Sequence, residues 1–357
     1  MSDKLKFPAP LQAKKLKKKK FSSTGDVHIL GDVEIASLLV IGGDMLVDGD
    51  LSAEEVFCLG KLTVTGNIRV HSLYVGQALD VGGDIEVQHL LKTGCNAEWM
   101  ARMLELDITK SGKFKDNFLD DLVHPLILKR SQQQMQAANT GGLAGVGDIQ
   151  ALGFLACDVL DCQGDVQIDF VLEANEVQYV GGHLGASAVF VASDCHVKGE
   201  LFSESDIRIG GDAFAGAVIC QGNLSVASIC AQANISAWGT IRATGEISSL
   251  NGEIVSGRWI ATRSSIFAAR YLKAGEAIVA EKGIAVGEDF AVMAGLALRR
   301  SKWATLGFVG APKRPAHLLS GHFDAKKTRK QLDALEKKRD SELDWEIERR
   351  LKAELEE

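Results

Sequence analysis

The chain has 357 residues, 46% hydrophobic and 24% charged, with 47 acidic against 40 basic residues and a formal net charge of −7. The length would accommodate two or three ordinary domains, and no apolar run reaches the ~18 residues of a membrane span. Seven cysteines, an odd number without secreted-scaffold or zinc spacing, read as small apolar residues of a reduced interior.

Charge is unevenly placed. Eight lysines and only Asp3 opposing them fall in the first 20 residues. With Pro8, Pro10 and a lysine run, residues 1–22 are expected to form a basic disordered tail. Lys14, Lys15, Lys17, Lys18, Lys19 and Lys20 are candidates for a tether to anionic lipid or nucleic acid, a plain solubilising tail being the alternative. No apolar segment of a signal peptide follows, so a cytoplasmic location is expected.

From residue 23 to 92 a five-residue phrase recurs: Gly, then Asp or Asn, then two aliphatic residues flanking a variable one. Gly31-Asp32-Val33-Glu34-Ile35, Gly43-Asp44-Met45-Leu46-Val47, Gly66-Asn67-Ile68-Arg69-Val70 and Gly83-Asp84-Ile85-Glu86-Val87 are copies. Glycines 31, 49, 66 and 83 lie 18, 17 and 17 residues apart. The aliphatic pair points to one face of a short strand, and Gly is expected to supply a positive φ or tight bend at each corner. A period near 17 built of units near six predicts an all-β solenoid, a parallel three-sided β-helix.

Residues 93–142 break the pattern and predict a helical insert, with Asn96 as N-cap before Ala97–Leu104. Trp99, Arg102, Met103 and Phe118 are its candidate partner-binding residues, although the insert reads equally as a lid over an irregular coil. The phrase returns across 143–305, with Gly164-Asp165-Val166-Gln167-Ile168 and Gly222-Asn223-Leu224-Ser225-Val226. Residues 306–323 are expected to be a cap and linker, with Trp303 and Phe308 covering the last coil. Residues 324–357, with ten basic and eleven acidic side chains, predict a charged α-helix. Its narrow stripe of Leu343, Ile347, Leu351 and Leu355 is the candidate docking face.

No constellation for chemistry emerges, so no catalytic, cofactor-binding or metal-binding residue is assigned and no enzyme is expected. Asp194-Cys195-His196 is a poor dyad, because neighbours on a strand face opposite ways. The aspartates at 26, 32, 44, 50, 84, 148, 165 and 212 follow corner glycines and read as turn residues. The acidic body, about −13 over residues 22–323, is unsuited to a phosphate backbone, and no small-molecule substrate is evident.

Across Gly25–Val87 and Gly164–Val226 the Gly-Asp phrases and their period resemble the bactofilins, bacterial polymer-forming cytoskeletal proteins. The resemblance implies a right-handed β-helix that assembles end to end without nucleotide, in some members with membrane contact through the N-terminus. The coils near Val27 and Ile29 and near Phe290 and Val292 would occupy the ends. The departures are a longer solenoid, the insert, the terminal helix and the aromatic cap. The expected function is thus a non-enzymatic scaffold assembling through solenoid ends, with itself or another protein as partner. The alternative is a protein-binding module, such as an immunity protein that neutralises a basic toxin through the acidic solenoid and the insert.

Overall fold

The computed structural model describes residues 11–95, 142–296 and 307–335. The fold is a parallel β-solenoid of about 14 turns with about 18 residues per turn and a short helix near the C-terminus. It divides into two compact units, Met1–Glu200 and Leu201–Glu357.

In the first unit, equivalent positions of successive coils stack in register: Val27 on Met45, Met45 on Leu62 and Leu62 on Leu79. Their three-residue strands alternate buried, half-buried, buried, so the two aliphatic residues of each phrase point inward. Parallel stacking gives each inward column unbroken aliphatic contact, and the strand amides bond to the carbonyls of the adjacent coil.

The coil begins earlier than expected. Residues 11–22, anticipated as a disordered tail, contain the strands Leu11–Ala13, Leu16–Lys18 and Phe21–Ser23. These pair parallel with the next coil through Leu11 and Val27, Leu16 and Val33, and Phe21 and Leu39. An existing edge supplies the backbone partners, and buried Leu16 with half-buried Phe21 supplies enough apolar contact, so the lysines need not be accommodated inside. The insert likewise leaves the stack unbroken in this unit: Leu79 pairs with Leu143 and Ile85 with Ile149. The insert residues Trp99, Arg102, Met103 and Phe118 lie outside the described residues.

The glycines act differently from the sequence expectation. Positive φ occurs among the described residues only at Gly94, Gly295, Gly307 and Gly321, none of them a phrase glycine. Space is the constraint instead. A Cβ on Gly49 would sit 2.6 Å from the Asp32 Oδ1 of the preceding coil. That oxygen accepts the amide of Asp50 at 3.2 Å, and Asp50 in turn accepts from Asn67 N at 2.8 Å. The ladder continues through Asn67 to Asp84 N, Asp84 to Asp148 N, Asp148 to Asp165 N and Asp165 to His183 N. Glycine clears room for the side chain that holds the following residue's amide.

In the second unit the same ladder runs from Asp206 to Asn223 N and from Asn223 to Thr240 N. The segment expected to be cap and linker instead adds coil strands: Phe308–Gly310 pairs with Ala277–Ala280, Leu318–Ser320 with Val292–Ala294, and His322–Phe323 with Phe308–Gly310. Phe308 covers no coil end. It lies in a lateral cluster with Trp259, Ala261, Ala277, Val279 and Leu332, against which Leu335 packs. Trp303 lies outside the described residues, as do Leu343, Ile347, Leu351 and Leu355. Asp324 accepts from Lys326 N and Lys327 N and starts a helical turn that leads into an α-helix described over 328–335.

Gly49→Ala is expected to destabilise the protein by about 1–3 kcal/mol through overpacking against Asp32. Gly283→Ala, where an added Cβ meets nothing within 4 Å, is expected to leave stability nearly unchanged. Urea unfolding of both variants checks this, and equal midpoints would remove the steric role of the phrase glycine.

Candidate interaction surfaces

The six lysines of the proposed tether lie on the first coil. Lys14, Lys15, Lys17, Lys18 and Lys19 are exposed and Lys20 half-buried. The next coil engages two of them: Lys15 Nζ lies 3.8 Å from Asp32 and 3.4 Å from Glu34, and Lys17 pairs with Glu34. The hydrogen bond from Lys17, then that from Lys15, holds the Glu34 carboxyl below its ordinary value. Lys18 occupies the register position of inward-facing Ile35 yet is exposed, with its ammonium 5.3 Å from the centre of the Phe21 ring. A charge therefore stands at the edge where the rest of that column carries an aliphatic side chain, a pattern that blunts uncontrolled strand addition.

Residues considered for chemistry are kept apart by the strand alternation. Cys195 is buried and His196 exposed on the opposite face, edge-on to Tyr179 at 5.5 Å. Burial pushes the thiols of Cys95, Cys157 and Cys195 up to about 12 and those of Cys162 and Cys220 up to about 11. Thiolates, the nucleophilic form, are thereby disfavoured. The aspartates at 26, 32, 44, 50, 84, 148 and 165 accept backbone amides of adjacent coils. Asp212 accepts from the Ser228 hydroxyl. Among the described residues no group of three or more His, Cys, Asp or Glu is placed to hold a metal ion, and no helix is long and apolar enough to cross a membrane.

Sequence reading missed an outward apolar face in the first unit. Val40, Phe57 and Tyr74 stack in one outward row, with the two rings 4.5 Å apart, and are only 2%, 1% and 3% exposed. Burial on an outward row marks a covered face, and Lys92 is the register partner of Tyr74 in the next coil of this row. Further along this side Leu152, Phe154 and Phe170 are exposed, the two phenylalanines stacked at 5.5 Å. The available signal was aromatic residues at the variable positions of strands, which the focus on inward aliphatics passed over.

No protein-family model, curated protein or solved structure matches this chain.

In the folded protein a thiol reagent at pH 8 is expected to modify about one cysteine per chain, half-buried Cys230, because the other six are buried. All seven should react after unfolding. The raised thiol pKa values carry a pH consequence. Unfolded thiols ionise from about pH 9 while the buried ones stay protonated, so this stabilisation is full below pH 9. It should be lost as pH rises through the folded values of about 11 to 12. Unfolding midpoints measured from pH 8 to 11 check the direction, and a midpoint that rises with pH would contradict it.

Proposed function

We propose that this chain is a non-enzymatic scaffold that assembles end to end through its terminal coils. One observation carries the reading: the strand Gly283–Val286 ends its column among the described residues with Ile284 and Val286 only half-buried. Ile266 and Ala268, their register partners, are buried. An inward row that runs out at a partly open edge gains burial when another coil is placed on it. Glu288 and Asp289 are exposed just beyond that strand, and the first coil presents the lysines. A lysine edge of one copy against this edge of the next is a heterologous contact, which extends rather than closes. This is also the assembly mode that the similarity to bactofilins suggests. The same lysines, if left uncovered, suit peripheral contact with anionic lipid.

The test is sedimentation velocity and negative-stain microscopy of the full-length chain at low and high salt. Rods or filaments are expected at low salt, shortening as salt screens the lysine–carboxylate contact. Ile284→Lys, and Lys17→Glu with Lys18→Glu, should each weaken association by about tenfold or more. A monomer under all conditions would retire the reading.

A second reading, a binding module for a basic protein partner, is favoured by exposed Leu152, Phe154 and Phe170 with exposed Asp169 and Glu173 on the same strand as Phe170. An aromatic centre with a charged rim is a common arrangement for protein recognition. Under that reading, replacing Phe154 and Phe170 by Ser abolishes capture of the partner while self-association is unchanged. Loss of self-association in that variant would count against both assignments.

A further inference from the structure

One rung of the corner ladder in the first unit is neither Asp nor Asn. Asp148 Oδ1 accepts the amide of Asp165 at 2.8 Å, and Asp165 Oδ1 accepts the amide of His183 at 2.7 Å. His183 then takes the acceptor's place: its Nδ1 lies 3.0 Å from the Glu200 amide nitrogen of the next coil. The phrase is otherwise kept as Gly182-His183-Leu184-Gly185-Ala186, with buried Leu184 and Ala186 in register with Val166 and Ile168. The spacing demand on glycine is kept too, since a Cβ on Gly199 would meet His183 Nδ1 at 3.1 Å.

A backbone amide can only donate, so Nδ1 presents a lone pair and the ring is neutral with its proton on Nε2. Protonation places an N–H on Nδ1 against the N–H of Glu200, and the rung has no acceptor left. Asp and Asn oxygens remain acceptors across the interval from pH 5 to 8, in which imidazoles change charge. The charged groups around the ring do not oppose the change. Asp165 on the preceding coil and Glu200 on the following one both favour a cation, and Lys198, two residues before Glu200, is exposed. His183 is itself exposed, so a protonated ring can swing into water without opening the core.

We propose that His183 is an acid-released rung of the ladder. Neutral, it ties the corner at Gly182 to the corner at Gly199. Protonated, it lets go, and the tie that remains there is the Gly199 amide on the Gly182 carbonyl at 2.9 Å. Acid thus loosens the first unit at one corner and leaves the Asp and Asn rungs of the preceding coils in place. The device is independent of end-to-end assembly.

Hydrogen exchange resolved by amide, read by NMR on the full-length chain at pH 8 and pH 5, tests this. The Asp84 amide, held by the Asn67 carboxamide oxygen at 2.8 Å, is the reference, because a carboxamide does not titrate. After correction for the intrinsic pH dependence of exchange, protection of the Glu200 amide relative to Asp84 is expected to fall about fivefold on acidification. His183→Asn, which keeps an oxygen acceptor, should abolish that fall. Equal protection at both pH values, a fall that persists in His183→Asn, or a ring that carries its proton on Nδ1 at pH 8 would each overturn the proposal.

Discussion

The structure depends on one contact repeated at the corners: the side-chain Oδ1 of an Asp or Asn accepting the backbone amide of a residue one coil further on. Asp50 accepts from Asn67, and Asn67 accepts from Asp84, in adjacent coils. The bond fixes register, because an aspartate displaced by one residue would meet an aliphatic position and expose the inward pair. It also dictates glycine, since only a residue without Cβ leaves the preceding side chain its place. Thus a local phrase encodes a long-range stack. The insert makes the point clearly: Asp84 accepts from Asp148, 64 residues away, with the geometry it would have across 17.

Once the inside is closed by aliphatic columns, the outward rows become the only positions free to vary. They vary strongly. In the first unit one row carries Val40, Phe57 and Tyr74 and is covered. In the second unit another carries Ala261 and Val279 and takes the helix. The lysine coil places charge where the inward column reaches its edge. None of these choices disturbs the ladder, because strand alternation separates the two faces of each strand. A repeat of this kind can acquire distinct surfaces without relearning its fold.

Fold class was legible because Gly, Asx and the aliphatic pair recur at a near-constant interval, and each residue type has a distinct mechanical role. The reason for glycine was not legible: φ and free space both favour it, and only the position of Asp32 against Gly49 separates them. The first coil was misread because lysine density suggested disorder, whereas Leu16 and Phe21 at the correct register suffice when an edge is already present. Phe308 was expected to cover an end because aromatic residues after the last clear phrase look like a stopper. Its pairing with Ala277 places it in a continuing column instead, beneath Leu332. Of the candidate surfaces, the lysines were visible as a group, but their division between carboxylate-paired and edge-facing positions required the register.

The two extremities illustrate how composition and geometry together decide what an edge does. An aliphatic row that ends half-open gains by any apolar cover, so by itself it is promiscuous. A lysine at the edge of an inward column, as Lys18 is in the first described coil, reverses this, since covering it without a countercharge would desolvate an ammonium. Glu34 shows what an acceptable neighbour looks like: an exposed carboxylate that takes Lys15 and Lys17 together. Selectivity at such an edge comes from the penalty on mismatched partners more than from the strength of the matched one. A solenoid whose coils are nearly interchangeable needs that penalty at its ends, because its interior rows offer no discrimination at all.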